Sequence, residues 1–219
     1  MTDDKSARIE SLRREAAECR ARPLWKDATQ TVFGEGPAEA DIVFVGEQPG
    51  DREDRVGRPF VGPAGLMFDK ALAEAGVDRK RAYVTNAVKH FKFEPRGKLR
   101  LHKRPNAGEI KVCKRWLMSE IDILKPRLIV ALGATAAQSL AERPVAIGKN
   151  RGETLTLAEG LRVFVTVHPS SLLRLPDEAD KQAAYARFVE DLRAVGELAA
   201  EAARAGASGA LARARGGLL

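Results

Sequence analysis

Four short apolar runs constrain the fold of this chain more than any other feature. They are DIVFVG (Asp41–Gly46), AYVTNAV (Ala82–Val88), RLIVALG (Arg127–Gly133) and LRVFVTV (Leu161–Val167). Each is rich in β-branched residues, nearly free of charge and bounded by turn formers, the pattern of a strand covered on both faces. The segments between them repeat apolar residues at helical spacing. GLMFDKALAEAG starts at Pro63 and stops at Gly76, IKVCKRWLMSEIDIL can be capped by Asn106, and GATAAQSLAE follows the third run. Strand and helix alternating in this way imply right-handed crossovers and a mostly parallel sheet with helices on both faces. The expected fold is therefore α/β: a single-domain three-layer α/β/α sandwich with a mostly parallel four-stranded central sheet. GETLTL (Gly152–Leu157) reads as an edge strand. An amphipathic helix is expected over Lys5–Arg20, and a last helix from about Asp177 to Ala203. One domain over residues 1–200 accounts for the pattern, and the GASGALARARGGLL tail, within 201–219, reads as disordered.

Charge narrows the function. Lys89–Arg115 holds ten Lys or Arg against Glu94 and Glu109, a local +8 in a chain whose net charge is +7, so the remainder is close to neutral. A concentrated basic segment on a near-neutral body suits a phosphate backbone, because binding releases counterions. A solvated basic loop is the plainer alternative. No run of eighteen apolar residues occurs, and MTDDKSARIE lacks the apolar core of a signal peptide. A cytoplasmic monomer without membrane contact is expected. Cys19 and Cys113 are far apart with no CxxC, which argues against a disulfide framework and leaves free thiols or metal ligands open.

In a parallel sheet the working site lies at the carboxyl ends of the strands. Those ends carry GEQPG (Gly46–Gly50), Asn86, Gly133 and His168, so polar groups converge on one edge. The stretch KHFKFEPRGKLRLHKR (Lys89–Arg104) adds His90 and His102. Cationic neighbours push His102 toward the neutral imidazole, which is a nucleophile, a base or a ligand.

Four segments together carry a resemblance: GEQPG, GRPFVGPAG (Gly57–Gly65), VTNAVKHF (Val84–Phe91) and VHPSSLLR (Val167–Arg174). In order and spacing they resemble the motifs of the uracil-DNA glycosylase superfamily over roughly Cys19–Arg193. The family-4-like branch called UdgX is the most similar. That branch carries KRRIH, and this chain reads KLRLH (Lys98–His102). The resemblance implies uracil-containing DNA, single- or double-stranded, as partner, and uracil excision in base-excision repair as the activity. Phe60 would stack on the flipped uracil, with Gly46 and Gln48 beside it in the uracil site. Asn86 would read N3–H and O4, and His168 would donate to O2 as negative charge develops. Backbone and hydroxyl donors of Ser170 and Ser171, with Lys98, Arg100, Lys103, Arg104 and Arg174, would meet DNA phosphates. His102 would bond to C1′ once uracil departs, with Glu47 taking its proton. Gln48 stands where another branch has a water-positioning carboxylate. A [4Fe–4S] cluster is also implied, with Cys19, His90 and Cys113 as ligands and Arg22 in the fourth ligand position.

The residues alone support this chemistry. Breaking the base–sugar bond leaves positive charge at C1′ and negative charge on uracil, and a site must stabilise both. An amide at Asn86 that accepts from N3–H and donates to O4 is mismatched to cytosine, in which those roles reverse. The plain alternatives are a turn residue at Asn86 and a core aromatic at Phe60. Two rival functions stay open: an ordinary turnover glycosylase in which water attacks C1′, and an inactive DNA-binding module. Nucleotide binding is disfavoured, since the chain has no GKS/T phosphate loop and GEQPG lacks dinucleotide spacing.

Overall fold

The computed structural model describes residues 2–21, 23–157 and 160–216, with side chains from residue 4 to 205. The four apolar runs form β1 (Ile42–Gly46), β2 (Ala82–Asn86), β5 (Leu128–Leu132) and β7 (Arg162–Thr166), all mutually parallel. The edge segment forms β6 (Thr154–Thr156), antiparallel to β7, so the sheet has five strands in the order β2-β1-β5-β7-β6 rather than four. At the other edge Glu35 pairs antiparallel with Val84.

Side-chain alternation divides the strands cleanly between two cores. Val43, Val45, Tyr83, Ile129, Ala131, Val163 and Val165 point to one face. There they meet α1 (Thr2–Ala17) through Leu12 and Ala16, α5 (Ala107–Leu124) through Leu117, Ile121 and Leu124, and α6 (Ala134–Ala141) through Ala136 and Leu140. Phe44, Val84, Leu128, Val130, Leu132 and Phe164 point to the opposite face, onto α4 (Pro63–Ala75) and α9 (Glu178–Gly216). Burying each such side chain contributes about 1.5–3 kcal/mol, so the two apolar layers hold the three-layer sandwich together.

Local signals set the helix ends. Pro63 opens α4, and Gly76, at φ 74°, ends it. Asn106 and Glu109 form a reciprocal capping box at the start of α5. The last helix runs past its expected end near Ala203 to Gly216, through an alanine-rich, arginine-spaced segment of high helix propensity. Residues 217–219 lie outside the described residues.

Two features went unread in the sequence. DREDRV forms a short helix, α3 (Asp51–Val56). The basic segment is an antiparallel hairpin, β3 (Phe93–Arg96) and β4 (Leu99–His102), turning at Gly97 with φ 59°. Period-two alternation sends Arg100 and His102 to one side, while Leu99 and Leu101 stay exposed.

The chain runs from β1 to β2 by way of α4 on one face, then crosses back over β1 to β5 by way of α5 on the other. That reversal opens a crevice at the carboxyl ends of β1 and β5.

Candidate active site

Gly46 ends β1 and Asn86 ends β2 in direct register. A Cβ on residue 46 would sit 2.3 Å from Asn86 Oδ1 and 2.8 Å from Phe60 Cζ, so only glycine lets the amide and the aromatic ring meet above the strand end. Phe60 holds a left-handed backbone at φ 55°, a rare state for a bulky residue that costs on the order of 1–3 kcal/mol. The first turn of α4 encloses it, since a Cβ on Gly65 would meet the Phe60 carbonyl oxygen at 1.9 Å. The Phe60 ring lies nearly parallel to that of His168, with centroids 6.1 Å apart.

His168 follows β7 and caps α8 (Pro169–Leu172). The Ser170 backbone N–H donates to Nδ1 at 3.2 Å, and the Ser170 hydroxyl lies 2.8 Å from the same nitrogen. Nδ1 is therefore an acceptor, and the neutral ring carries its proton on Nε2. Burial, then Arg174 and then His102, push the His168 pKa down to about 4, so it is a neutral donor at physiological pH. Both hydroxyls also engage His168: besides the Ser170 contact, Ser171 donates to the His168 carbonyl at 2.7 Å.

His102 closes the other side. Its Nε2 is 3.4 Å from Glu47 Oε1. Burial holds the imidazole below its ordinary pKa; Glu47 opposes that shift and Arg174 reinforces it. Glu47 Oε2 accepts from the Thr135 hydroxyl, which in turn accepts from Arg104 Nε at 3.2 Å. Thr135, at the start of α6, is a site residue that the sequence did not single out. A cavity of about 440 Å³ is lined by Phe60, Asn86, His102, His168 and Arg174. A second, of about 460 Å³, opens beside it on Glu47, Arg104, Thr135 and the same two histidines. A larger cleft of about 530 Å³ lies at the amino ends of β1 and β2 and holds none of these groups.

A family model for the uracil DNA glycosylase superfamily matches residues 33–193. The chain belongs to the uracil-DNA glycosylase superfamily. It is 40% identical over 167 residues to a type-4 uracil-DNA glycosylase of Thermotoga maritima, covering 76% of this chain and 83% of that relative. Type-4 uracil-DNA glycosylases of Pyrobaculum aerophilum (36% over 175 residues, 77% and 86% covered) and Archaeoglobus fulgidus (30% over 197 residues, 87% and 92% covered) are similar as well.

Several residues of this uracil-DNA glycosylase fall elsewhere than expected. Gln48 is buried, and its amide clamps the hairpin base: Nε2 donates to the carbonyls of Lys92 and Lys103 at 3.1 Å, and Oε1 accepts from Lys92 N–H at 3.2 Å. It lines both cavities, yet that amide is engaged with backbone rather than free to hold a water. Arg100, assigned to phosphate, turns inward. Its guanidinium donates to Asp51 at 2.5 Å and to the buried Asp54 at 2.6 Å, lies over Phe91 and Phe93, and is 15% exposed. Lys103 pairs with Glu94. Lys98 at the hairpin tip is exposed, and Arg104 and Arg174 stay at the cavity rim.

His90 does not join the other two histidines. It is buried, 2.9 Å from the Thr31 hydroxyl, and burial pushes its pKa down to about 4. Cys113 is buried, and Cys19 accepts a long contact from Arg115 at 3.7 Å. A [4Fe–4S] cluster takes four protein ligands. Among the described residues no group of three or more His, Cys, Asp or Glu is placed to hold a metal ion, and Arg22, in the fourth position, lies outside them. Of the four ligand positions that the resemblance implies, Cys19, His90 and Cys113 fall among the described residues.

Proposed function

We propose that this uracil-DNA glycosylase excises a uracil flipped out of DNA and then joins itself to the vacated C1′ through His102. The observation that carries this reading is His102 Nε2 facing Glu47 Oε1 at 3.4 Å, in a wall shared with the uracil-reading cavity. The base enters against Phe60, with Asn86 pairing its N3–H and O4. As the C1′–N1 bond breaks, its electrons leave with uracil, and His168 Nε2–H donates to O2 where negative charge gathers. The His102 ring nitrogen that carries the free lone pair then bonds to the cationic C1′. The imidazolium so formed loses its remaining N–H proton to Glu47 and on to the uracil anion, so the products are one adduct and neutral uracil. Lys98, Arg104 and Arg174 supply cations for the flanking phosphates.

The second reading is turnover, in which water takes the place of the imidazole. The type-4 names of the similar proteins favour it. Incubation with uracil-containing single-stranded DNA, followed by boiling in detergent, separates the readings. A shifted band marks the covalent product. Free abasic DNA alone overturns the covalent step and leaves turnover, and intact uracil overturns both.

A further inference from the structure

Behind the base-reading amide lies a charge pair that the steps above do not use. Lys89 Nζ and Glu120 Oε2 are 2.6 Å apart, with side chains 1% and 0% exposed. Glu120, on α5, also accepts from the hydroxyls of Tyr83 (3.0 Å) and Thr85 (2.9 Å) and from the Gly34 N–H (3.1 Å). The ammonium donates further to Thr85 Oγ1 at 2.6 Å and to the backbone carbonyl of Asn86 at 2.8 Å, while the Phe33 ring covers it at 5.5 Å. Its three protons thus have three acceptors, and one acceptor belongs to the residue that carries the uracil-reading amide.

The same turn is fixed from the other side. Ala87 N–H donates to the Gly46 carbonyl at 2.9 Å and Val88 N–H to that of Glu47 at 3.0 Å. The carbonyl and the N–H of the Asn86–Ala87 peptide are therefore both held, one by the Lys89 ammonium and the other by the end of β1. A buried ion pair is a costly way to satisfy one carbonyl, and a purely structural role would not require the contact to fall on residue 86. A loose turn would let the amide rotate and exchange its donor and acceptor faces, which is the difference between reading uracil and reading cytosine.

We infer that Lys89, held by Glu120 and Thr85, is a positioning residue that locks the Asn86–Ala87 peptide so that the Asn86 amide meets the base in one orientation. The inference rests on the uracil-reading role of Asn86 proposed above. Its test is a double-mutant cycle on the single-turnover rate of uracil release, using Lys89→Met/Glu120→Gln and Thr85→Val, each alone and with Asn86→Ala. Thr85→Val removes an acceptor at constant charge and similar volume, so it carries the cycle even where the charge-pair variant does not fold.

The expected result is at least a tenfold loss in maximal rate with the half-saturating DNA concentration unchanged, shrinking to under twofold in the Asn86→Ala background. Equal losses in both backgrounds assign the network to the fold alone and overturn the inference. A readout independent of activity is the Asn86 side-chain amide pair in ¹⁵N–¹H spectra, expected as two well-separated resonances that broaden and move together in Thr85→Val; an unchanged pair also overturns it. A wild type that leaves uracil in place overturns the proposed function, and the amide spectra then decide the positioning by themselves.

Discussion

Because His102 meets Glu47 at 3.4 Å while Phe60, Asn86 and His168 line the cavity from the other side, removing one imidazole should separate the proposed bonding from excision. His102→Ala is expected to abolish the heat-stable species yet still release uracil, since water can reach the empty face of C1′; gel analysis of both products checks this. Glu47→Gln keeps the shape and loses the proton acceptor, so bonding should slow by about 10²-fold while the rate of uracil release changes less. The His102 pKa lies below 6.5, so the imidazole is neutral at pH 7 and takes a proton only in acid. Adduct formation should accordingly be flat above pH 6.5 and fall to half below it, as a pH series of initial rates would reveal. At the ligand set that the family resemblance implies, arginine cannot ligate iron, so Arg22→Cys should raise bound iron and visible absorption in protein purified without oxygen.

The hairpin shows why charge in a sequence is a poor guide to where that charge acts. Lys98 and Arg100 are two residues apart, yet Lys98 sits in the turn and stays in solvent, whereas Arg100, inside β4, reaches Asp51 and Asp54. Lys98→Ala should flatten the salt dependence of DNA binding by about one charge. Arg100→Ala should leave that slope unchanged, but lower stability by about 1–3 kcal/mol in denaturant titration, because Asp54 loses a buried partner. It should also reduce adduct formation more than excision. The strands and the convergence of GEQPG, Asn86 and His168 on one edge were legible because unbroken apolar runs mark strand ends, whereas Phe60 was singled out only by the family resemblance. The hairpin was not legible: the carboxylates that turn Arg100 inward lie 49 and 46 residues earlier, in a segment for which no element was expected. The grip of Gln48 on the Lys92 and Lys103 backbone was illegible for a related reason, since its motif position says nothing about those distant partners. Asp51 and Asp54, three apart in DREDRV, were the one signal that could have suggested a helix face awaiting a cation.

At the scale of the whole molecule, the crevice between β1 and β5 gathers groups from every layer, and folding holds some of them in an unfavourable protonation state. His168 has a pKa of about 4 when folded and an ordinary value near 6.5 when unfolded. Above pH 6.5 it is neutral in both states and contributes nothing to pH dependence. Between about 6.5 and 4 the unfolded chain binds the proton that the folded chain refuses, so stability falls as pH falls. From pH 7 to 5 this amounts to about 2 kcal/mol, and urea midpoints at the two values should converge in His168→Asn. The hairpin bearing His102 belongs to neither apolar layer; Gln48, the Arg100–Asp51–Asp54 cluster and ring contacts at Phe91 and Phe93 fasten it to the body. A part attached in that way is portable. Shortening it to a plain turn should leave the sandwich folded and the uracil pocket formed, and grafting it, with its acidic anchor helix, onto a sandwich that lacks it would transfer the capture step as a cassette.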